Sequence, residues 1–169
     1  MSIKEMIKEH PSVGSDYNES LGEAVKHAMY CAAICNSCAD ACSAEEMDMR
    51  RCIRLCMDCA DVCTAAYRVA SRRTDHNRQL IRTMLATCIE ACETCAEECE
   101  KHDHDHCRRC AKMCRECAED CRTALTELND EVHSEGQRSD FAHNAAGAVS
   151  ARGGTSPPAP RWRPACRRG

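Results

Sequence analysis

A chain of 169 residues with a formal net charge of −4 holds one ordinary domain with something left over, and that charge argues against a nucleic-acid partner. A single Phe and a single Trp leave few rings for a conventional core or for stacking bases. Its 18 cysteines would suggest a disulfide scaffold in a short secreted protein. However, residues 1–10 (MSIKEMIKEH) lack the apolar stretch of a signal peptide, and no twin-arginine pair precedes the first helix. No run of about 20 apolar residues exists to span a membrane. The expected setting is a reducing cytoplasm, where thiols stay reduced or bind metal.

In chain order, Ser2 and Glu5 are spaced as a capping box for a short helix over residues 2–10, which Pro11 ends. Residues 1–15 form this helix and its connector. The next helix is predicted to start near Asp16 or Ser20, with Ser20 and Glu23 as a second capping pair, and to run through Cys42. Ser43 and Glu46 make a third such pair, which starts a helix continuing through Cys63 to about Arg72. Thr74 or Asp75 then caps a helix carrying Ile81 and Leu85 to about Lys101. The segment His102-Asp103-His104-Asp105-His106 reads as a turn, with either Asp an N-cap for a last helix ending near Leu128 or Asn129. Short connections between long helices favour antiparallel neighbours. The expectation is an all-α, up-down-up-down four-helix bundle over residues 16–135. Residues 136–169, rich in Gly, Pro, Ala, Ser and Arg without periodicity, read as a disordered basic tail. Its Cys166 lies outside every repeat and reads as incidental.

Each long helix carries the spacing C-x-x-x-C-x-x-C-x-x-x-C. The sets are Cys31, Cys35, Cys38, Cys42; Cys52, Cys56, Cys59, Cys63; Cys88, Cys92, Cys95, Cys99; and Cys110, Cys114, Cys117, Cys121, with Cys107 one step ahead of the last. Steps of four, three and four place the sulfurs of one helix within about 60° of arc, climbing about 16 Å along it. Antiparallel packing then predicts layers: Cys42/Cys52/Cys99/Cys110, Cys38/Cys56/Cys95/Cys114, Cys35/Cys59/Cys92/Cys117 and Cys31/Cys63/Cys88/Cys121, with Cys107 above the first. Beyond the last layer the same faces turn apolar through Ala24, Ala28, Tyr67, Ala70, Ile81, Met84, Leu85, Leu125 and Leu128, which plugs that end. Met47, Met49, His102, His104 and His106 ring the other end as a mouth. Those histidines also fit an ordinary solvated turn. His10, His27, His76, His133 and His143 read as surface residues, and Met57 and Met113 as flank or interface packing.

Cysteine can serve as a small hydrophobe, but sixteen in register with Ala as the commonest spacer do not suit a core meant only to be filled. Disulfides within a helix would be strained, since i and i+4 Cβ atoms lie about 5–6 Å apart and a disulfide needs about 3.5–4.5 Å. Two metal–sulfur bonds of about 2.3 Å end to end do suit such a pair. Zinc prefers a closed tetrahedron from loops or knuckles, and iron–sulfur ligands come from loops around a compact cluster. Soft thiolates select Cu(I), which accepts two sulfurs in line. Seventeen buried thiolates need roughly one monovalent cation each, so each sulfur bridges two ions and the capacity is on the order of fifteen to twenty by this charge count. Such a column has no open coordination position or substrate pocket, so it reads as a store of Cu(I) ions and not as an enzyme. An iron–sulfur electron-transfer protein and a zinc or cadmium sink are the competing readings.

Four helices with this motif resemble the bacterial four-helix-bundle copper storage proteins, and the missing signal peptide resembles their cytosolic branch. The resemblance spans roughly residues 17–130. It implies Cu(I) held by the seventeen cysteines from Cys31 to Cys121, with His or Met at the open end. His102, His104 and His106 match the mouth region, and Met47 and Met49 accompany them. It also implies a homotetramer. The partners expected are copper ions delivered by a copper chaperone, with no nucleic acid and no membrane.

Overall fold

The computed structural model describes residues 2–11, 13, 17–72 and 77–149, the last twenty of these by backbone alone. Five helices account for most of them: α1 (Ile3–Lys8), α2 (Glu19–Ser43), α3 (Arg50–Ala70), α4 (Arg78–Cys99) and α5 (Asp105–Val149). There is no strand among the described residues, and the expected all-α bundle is the fold observed. No described helix is long and apolar enough to cross a membrane. Among the described residues, those up to 131 form one compact unit, and residues 132–149 belong to a second.

The short helix α1 is closed by the predicted capping box: Ser2 Oγ accepts from Glu5 N, and Ser2 N donates to Glu5 Oε2 at 2.8 Å. Ile7 is its one buried residue. Lys4 ties it to α2 through ion pairs with Glu19 and Glu23. The second capping pair does not form. Asn18 caps α2 instead, its Oδ1 accepting from Leu21 N at 2.7 Å, while Ser20 donates to Glu127 on α5 and Glu23 turns to Lys4 and Lys26. Nor does the third pair start a helix: Ser43 is the last residue of α2 and its hydroxyl donates back to Asp40 O at 2.6 Å. A serine in a final turn can satisfy a free carbonyl as readily as one in a first turn satisfies an amide. The α2–α3 connection therefore runs on to Met49, and α3 starts without a side-chain cap.

Thr74 and Asp75, the predicted caps of the third helix of the bundle, lie outside the described residues. Asn77 occupies the N-cap position of α4. The last helix starts at Asp105 as predicted, with Arg108 paired to Asp103 and Asp105. It continues past Leu128 to Val149, since the stretch after Asn129 holds no proline, and an isolated glycine such as Gly136 costs only about 1 kcal/mol in a helix. Of the predicted disordered tail, residues 136–149 are thus helical, and residues 150–169, including Cys166, lie outside the described residues. Ion pairs Arg115–Glu100 and Arg122–Glu93 join α5 to α4, and His27–Asp120 joins it to α2.

The plugged end is present as predicted. Ala24, Ala28, Ala70, Ile81, Leu85 and Leu128 are buried, with Tyr67, Met84 and Leu125 packed against them. Leu21 and Val25, each 1 % exposed, extend the plug beyond what the cysteine faces indicated.

Candidate metal centre

All seventeen cysteines of the bundle are free and buried, none more than 2 % exposed. Each helix turns its whole cysteine stripe inward, with Ala96, Ala111, Ala118 and Met113 buried beside it and Ile34, Ile53, Val62 and Ile89 packed along its edges. Between α3 and α4 the layers match the predicted register: Cys52–Cys99, Cys56–Cys95 and Cys59–Cys92 are each 3.7 Å apart, and Cys63–Cys88 is 3.6 Å.

Between α2 and α5 the register differs from prediction by one to two cysteines. Cys42 meets Cys107 at 3.9 Å, not Cys110; Cys35 meets Cys110 at 3.6 Å and Cys114 at 3.4 Å; Cys31 meets Cys114 at 3.6 Å. Cys107, the first cysteine after the α4–α5 connection, enters the bundle level with Cys42. It is a member of the column, and the layers are staggered.

The stagger gives each sulfur several neighbours. Cys31/Cys35/Cys59/Cys114, Cys35/Cys95/Cys110/Cys114, Cys38/Cys56/Cys99/Cys110 and Cys31/Cys59/Cys63/Cys92 each bring four sulfurs within 4.8 Å of one another. Members recur between groups, which is the condition for bridging thiolates. The i, i+4 pairs Cys31–Cys35 and Cys59–Cys63 stand at 3.8 and 3.9 Å. A linear S–metal–S unit spans about 4.6 Å, so under about one ångström of opening admits an ion.

Charge state follows from burial. At the upper layer burial first raises the Cys107 thiol, to about 12, and raises Cys42 as well. Deeper in, Cys35 is held protonated first by its bond with Cys110 and then by other thiols and burial. Burial acts against the thiolate form at every level of the column, and a metal must displace protons to bind.

The mouth sorts the predicted histidines. His106 Nδ1 faces the column, at 3.4 Å from Cys107, 3.5 Å from Cys38 and 3.9 Å from Cys42; with those three cysteines it forms a further group of candidate ligands. Its bond to Cys38 raises its pKa, with Glu45 adding to the effect against burial. His104 lies one layer outward, its ring stacked on that of His106 at 5.3 Å and its Nε2 at 3.2 Å from Met47 Sδ. His102 is placed elsewhere: its buried Nε2 is 3.6 Å from Glu98 Oε1 and has no hydrogen-bond partner. Met49 is buried at the start of α3 and Met47 is exposed. Both line a recess of about 390 Å³ whose floor reaches Cys42.

Sequence reasoning missed two acidic residues at this end. Glu45 contacts both outer histidines: its Oε1 accepts from His106 Nε2 at 3.1 Å and lies 3.2 Å from His104 Nδ1. Glu98 is buried between Lys101 and Arg51; Lys101 first, then Arg51 and His102, lower its carboxyl pKa. The signal for Glu45 was its place two residues before Met47 in the mouth turn; for Glu98 there was none, because in the sequence it is one of several glutamates off the cysteine stripe. Of the remaining histidines, His10 is exposed, and His27, expected at the surface, is partly covered and bridges to Asp120. His76 and the side chains of His133 and His143 lie outside the described residues. Met57 is exposed as a flank residue, but Met113 is buried.

A four-helix bundle filled with bridging thiols, plugged at one end and lined with imidazole and thioether at the other, defines a protein built to hold many soft cations. Comparison with known proteins agrees: the chain belongs to the copper storage protein family, whose profile matches residues 17–126. It is similar to the copper storage protein Ccsp from Streptomyces lividans, seen loaded with 10 copper equivalents (37% identity, TM-score 0.70, covering 74% of this chain and 98% of that one); the Streptomyces lividans protein is elsewhere described as cytosolic. It is also similar to Cu(I)-bound BsCsp3 (35% identity, TM-score 0.58, covering 63% and 98%). A cysteine-rich Bacillus subtilis protein, YhjQ, is 41% identical over 96 residues, 57% of this chain and 84% of that protein.

Proposed function

We infer that this protein stores and buffers Cu(I) as cargo, binding many ions through the thiolates of Cys31 to Cys121. The observation carrying this reading is the continuous sharing of sulfurs between neighbouring four-cysteine groups. Isolated tetrahedral sites for zinc would keep their ligand sets separate. A chain of shared sulfurs suits an ion that needs only two or three of them and whose single charge balances one thiolate.

We assign the seventeen bundle cysteines as ligands and His106 as the first imidazole inside the mouth. His104 and Met47 would lie on the approach, and Met49 on its wall. His102, turned to Glu98, would take copper only after rotating. A cytoplasmic location is supported by the cytosolic relative, and handover from a copper chaperone by the one-ended access to the column. A homotetramer is supported by Met29, Tyr30 and Met57, exposed on the outer faces of α2 and α3.

The deciding experiment is anaerobic titration of the reduced apo-protein with Cu(I) against a competing chelator. Saturation on the order of fifteen to twenty ions per chain is expected from charge balance, with ultraviolet and no visible absorption. Saturation at four or fewer would sink the bridged column, and visible bands after iron reconstitution would favour the cluster reading.

A further inference from the structure

We propose that six sulfurs of the column, those of Cys31, Cys35, Cys59, Cys63, Cys92 and Cys114, form a two-metal zinc site in the copper-free protein, the two ions sharing Cys31 and Cys59. The proposal goes beyond the storage reading, because it gives the column a second, divalent cation that is held until copper displaces it.

The spacing of the sulfurs decides which ion a group suits. A linear S–metal–S unit holds its sulfurs about 4.6 Å apart, whereas a tetrahedron of about 2.3 Å bonds holds all four about 3.8 Å apart. Two groups already have the tetrahedral spacing. In Cys31/Cys59/Cys63/Cys92, five of the six edges run from 3.6 to 3.9 Å. In Cys31/Cys35/Cys59/Cys114, five run from 3.4 to 4.0 Å. The sixth edge of each is within 4.8 Å. The groups have the Cys31–Cys59 edge in common, so two tetrahedra can be completed on it. Charge permits the pair: six thiolates against two divalent cations leave two negative charges, as one zinc does in an ordinary four-cysteine site. Neighbouring thiols stand where they can donate to that excess charge, Cys88 at 3.6 Å from Cys63 and Cys110 at 3.6 Å from Cys35. The six ligands come from all four long helices, α2 to α5, so two ions there cross-link a core that thiols alone fill poorly. Soft thiolates accept zinc as well as Cu(I). Arriving Cu(I) neutralises each thiolate singly, removes the excess charge and so displaces the pair.

Cobalt(II), which takes zinc's tetrahedral geometry and reports it by colour, tests this in the reduced, metal-free, full-length protein without oxygen. Titration should give the intense visible bands of tetrahedral thiolate cobalt, saturating at two ions per chain, one for each of the two four-sulfur groups. The paramagnetic resonance of the first ion should fade as the second enters, because shared thiolates couple the two spins. Zinc should bleach the bands at the same stoichiometry, and Cu(I) should then release the zinc. Cys59→Ser removes a shared sulfur and should cut uptake to one ion or none. Cys52→Ser, near the mouth and outside the six, should keep both, with circular dichroism checking the fold of each variant. Weak six-coordinate absorption alone, two ions without spin coupling, a third tetrahedral ion, or equal losses in Cys52→Ser and Cys59→Ser would overturn the assignment. The cobalt stoichiometry is read without copper, so the pair can fail while storage stands. A wild type that takes two coupled cobalt ions but few Cu(I) ions would defeat storage and leave the pair.

Discussion

Cys114 shows what a single thiol contributes. Its sulfur lies 3.4 Å from Cys35, 3.6 Å from Cys31 and 4.0 Å from Cys59, so it belongs to two of the four-sulfur groups at once. Cys114→Ser should lower the Cu(I) capacity by about one to two ions, because a hydroxyl is a poor ligand for a soft cation. The apo-protein should lose about 1–3 kcal/mol for burying a hydroxyl among thiols. Chelator-competed titration and urea unfolding read the two effects separately. At this scale the cysteines were fully legible, because each one's identity and spacing alone assign it a face. Glu45 and Glu98 were not. Their importance lies in contacts across a turn or between helices, and a carboxylate at an exposed-looking position carries no periodic signal.

The helices differ in how much of their placement was written locally. The capping box of α1 formed because both partners lie within one turn. Ser20 and Ser43 had other partners, Glu127 and the Asp40 carbonyl, so their capping motifs described a possibility that tertiary contacts and a helix end overrode. Helix α1 itself rests on few contacts. Ile7 is its only buried side chain, and Lys4 pairs with Glu19 and Glu23. The bond with Lys4 lowers the Glu23 pKa below the ordinary 4.5. A depressed carboxylate contributes stability that is complete above 4.5 and is lost as pH falls through the lower folded value. Attachment of α1 should therefore weaken below about pH 4.5 while the bundle holds, read as earlier loss of amide protection in residues 3–8. Ile7→Ala should release α1 at neutral pH and leave copper capacity unchanged. Gly22 offers a sharper test of the same joint. A Cβ there would meet the Tyr17 hydroxyl, so Gly22→Ala sets a helix-propensity gain of about 1 kcal/mol against displacement of Tyr17. Loss of α1 protection with a raised melting point for α2 is the expected outcome.

For the molecule as a whole, the apo bundle must be held together by something other than its thiols. A column of cysteines fills less volume than leucine and isoleucine would, and buried thiols add little apolar area each. Cohesion is therefore concentrated in the plug around Leu21, Val25, Ile81, Leu85 and Leu128, and the column is completed by its cargo. The sequence showed this division, because the apolar residues begin where the cysteine stripes stop. It did not show the stagger between α2 and α5, in which Cys107 enters the column level with Cys42.

The division can be tested with one variant in two states. Leu21 is 1 % exposed and lies about 15 Å along α2 from Cys31, ten residues on, far enough for independent effects to add. Leu21→Ala should cost about 2–5 kcal/mol in the apo-protein. Copper bound only to the folded state contributes about 2.7 kcal/mol for each independent site held at a hundredfold excess over its dissociation constant. Binding of copper to unfolded thiols reduces this figure, yet several filled sites still exceed the loss at the plug. Loaded Leu21→Ala should therefore melt above the apo wild type, and stripping its copper with a chelator should return it below. If the loaded variant instead melts below the apo wild type, the cargo adds less cohesion than one leucine, and the column is a container whose contents do not hold it together.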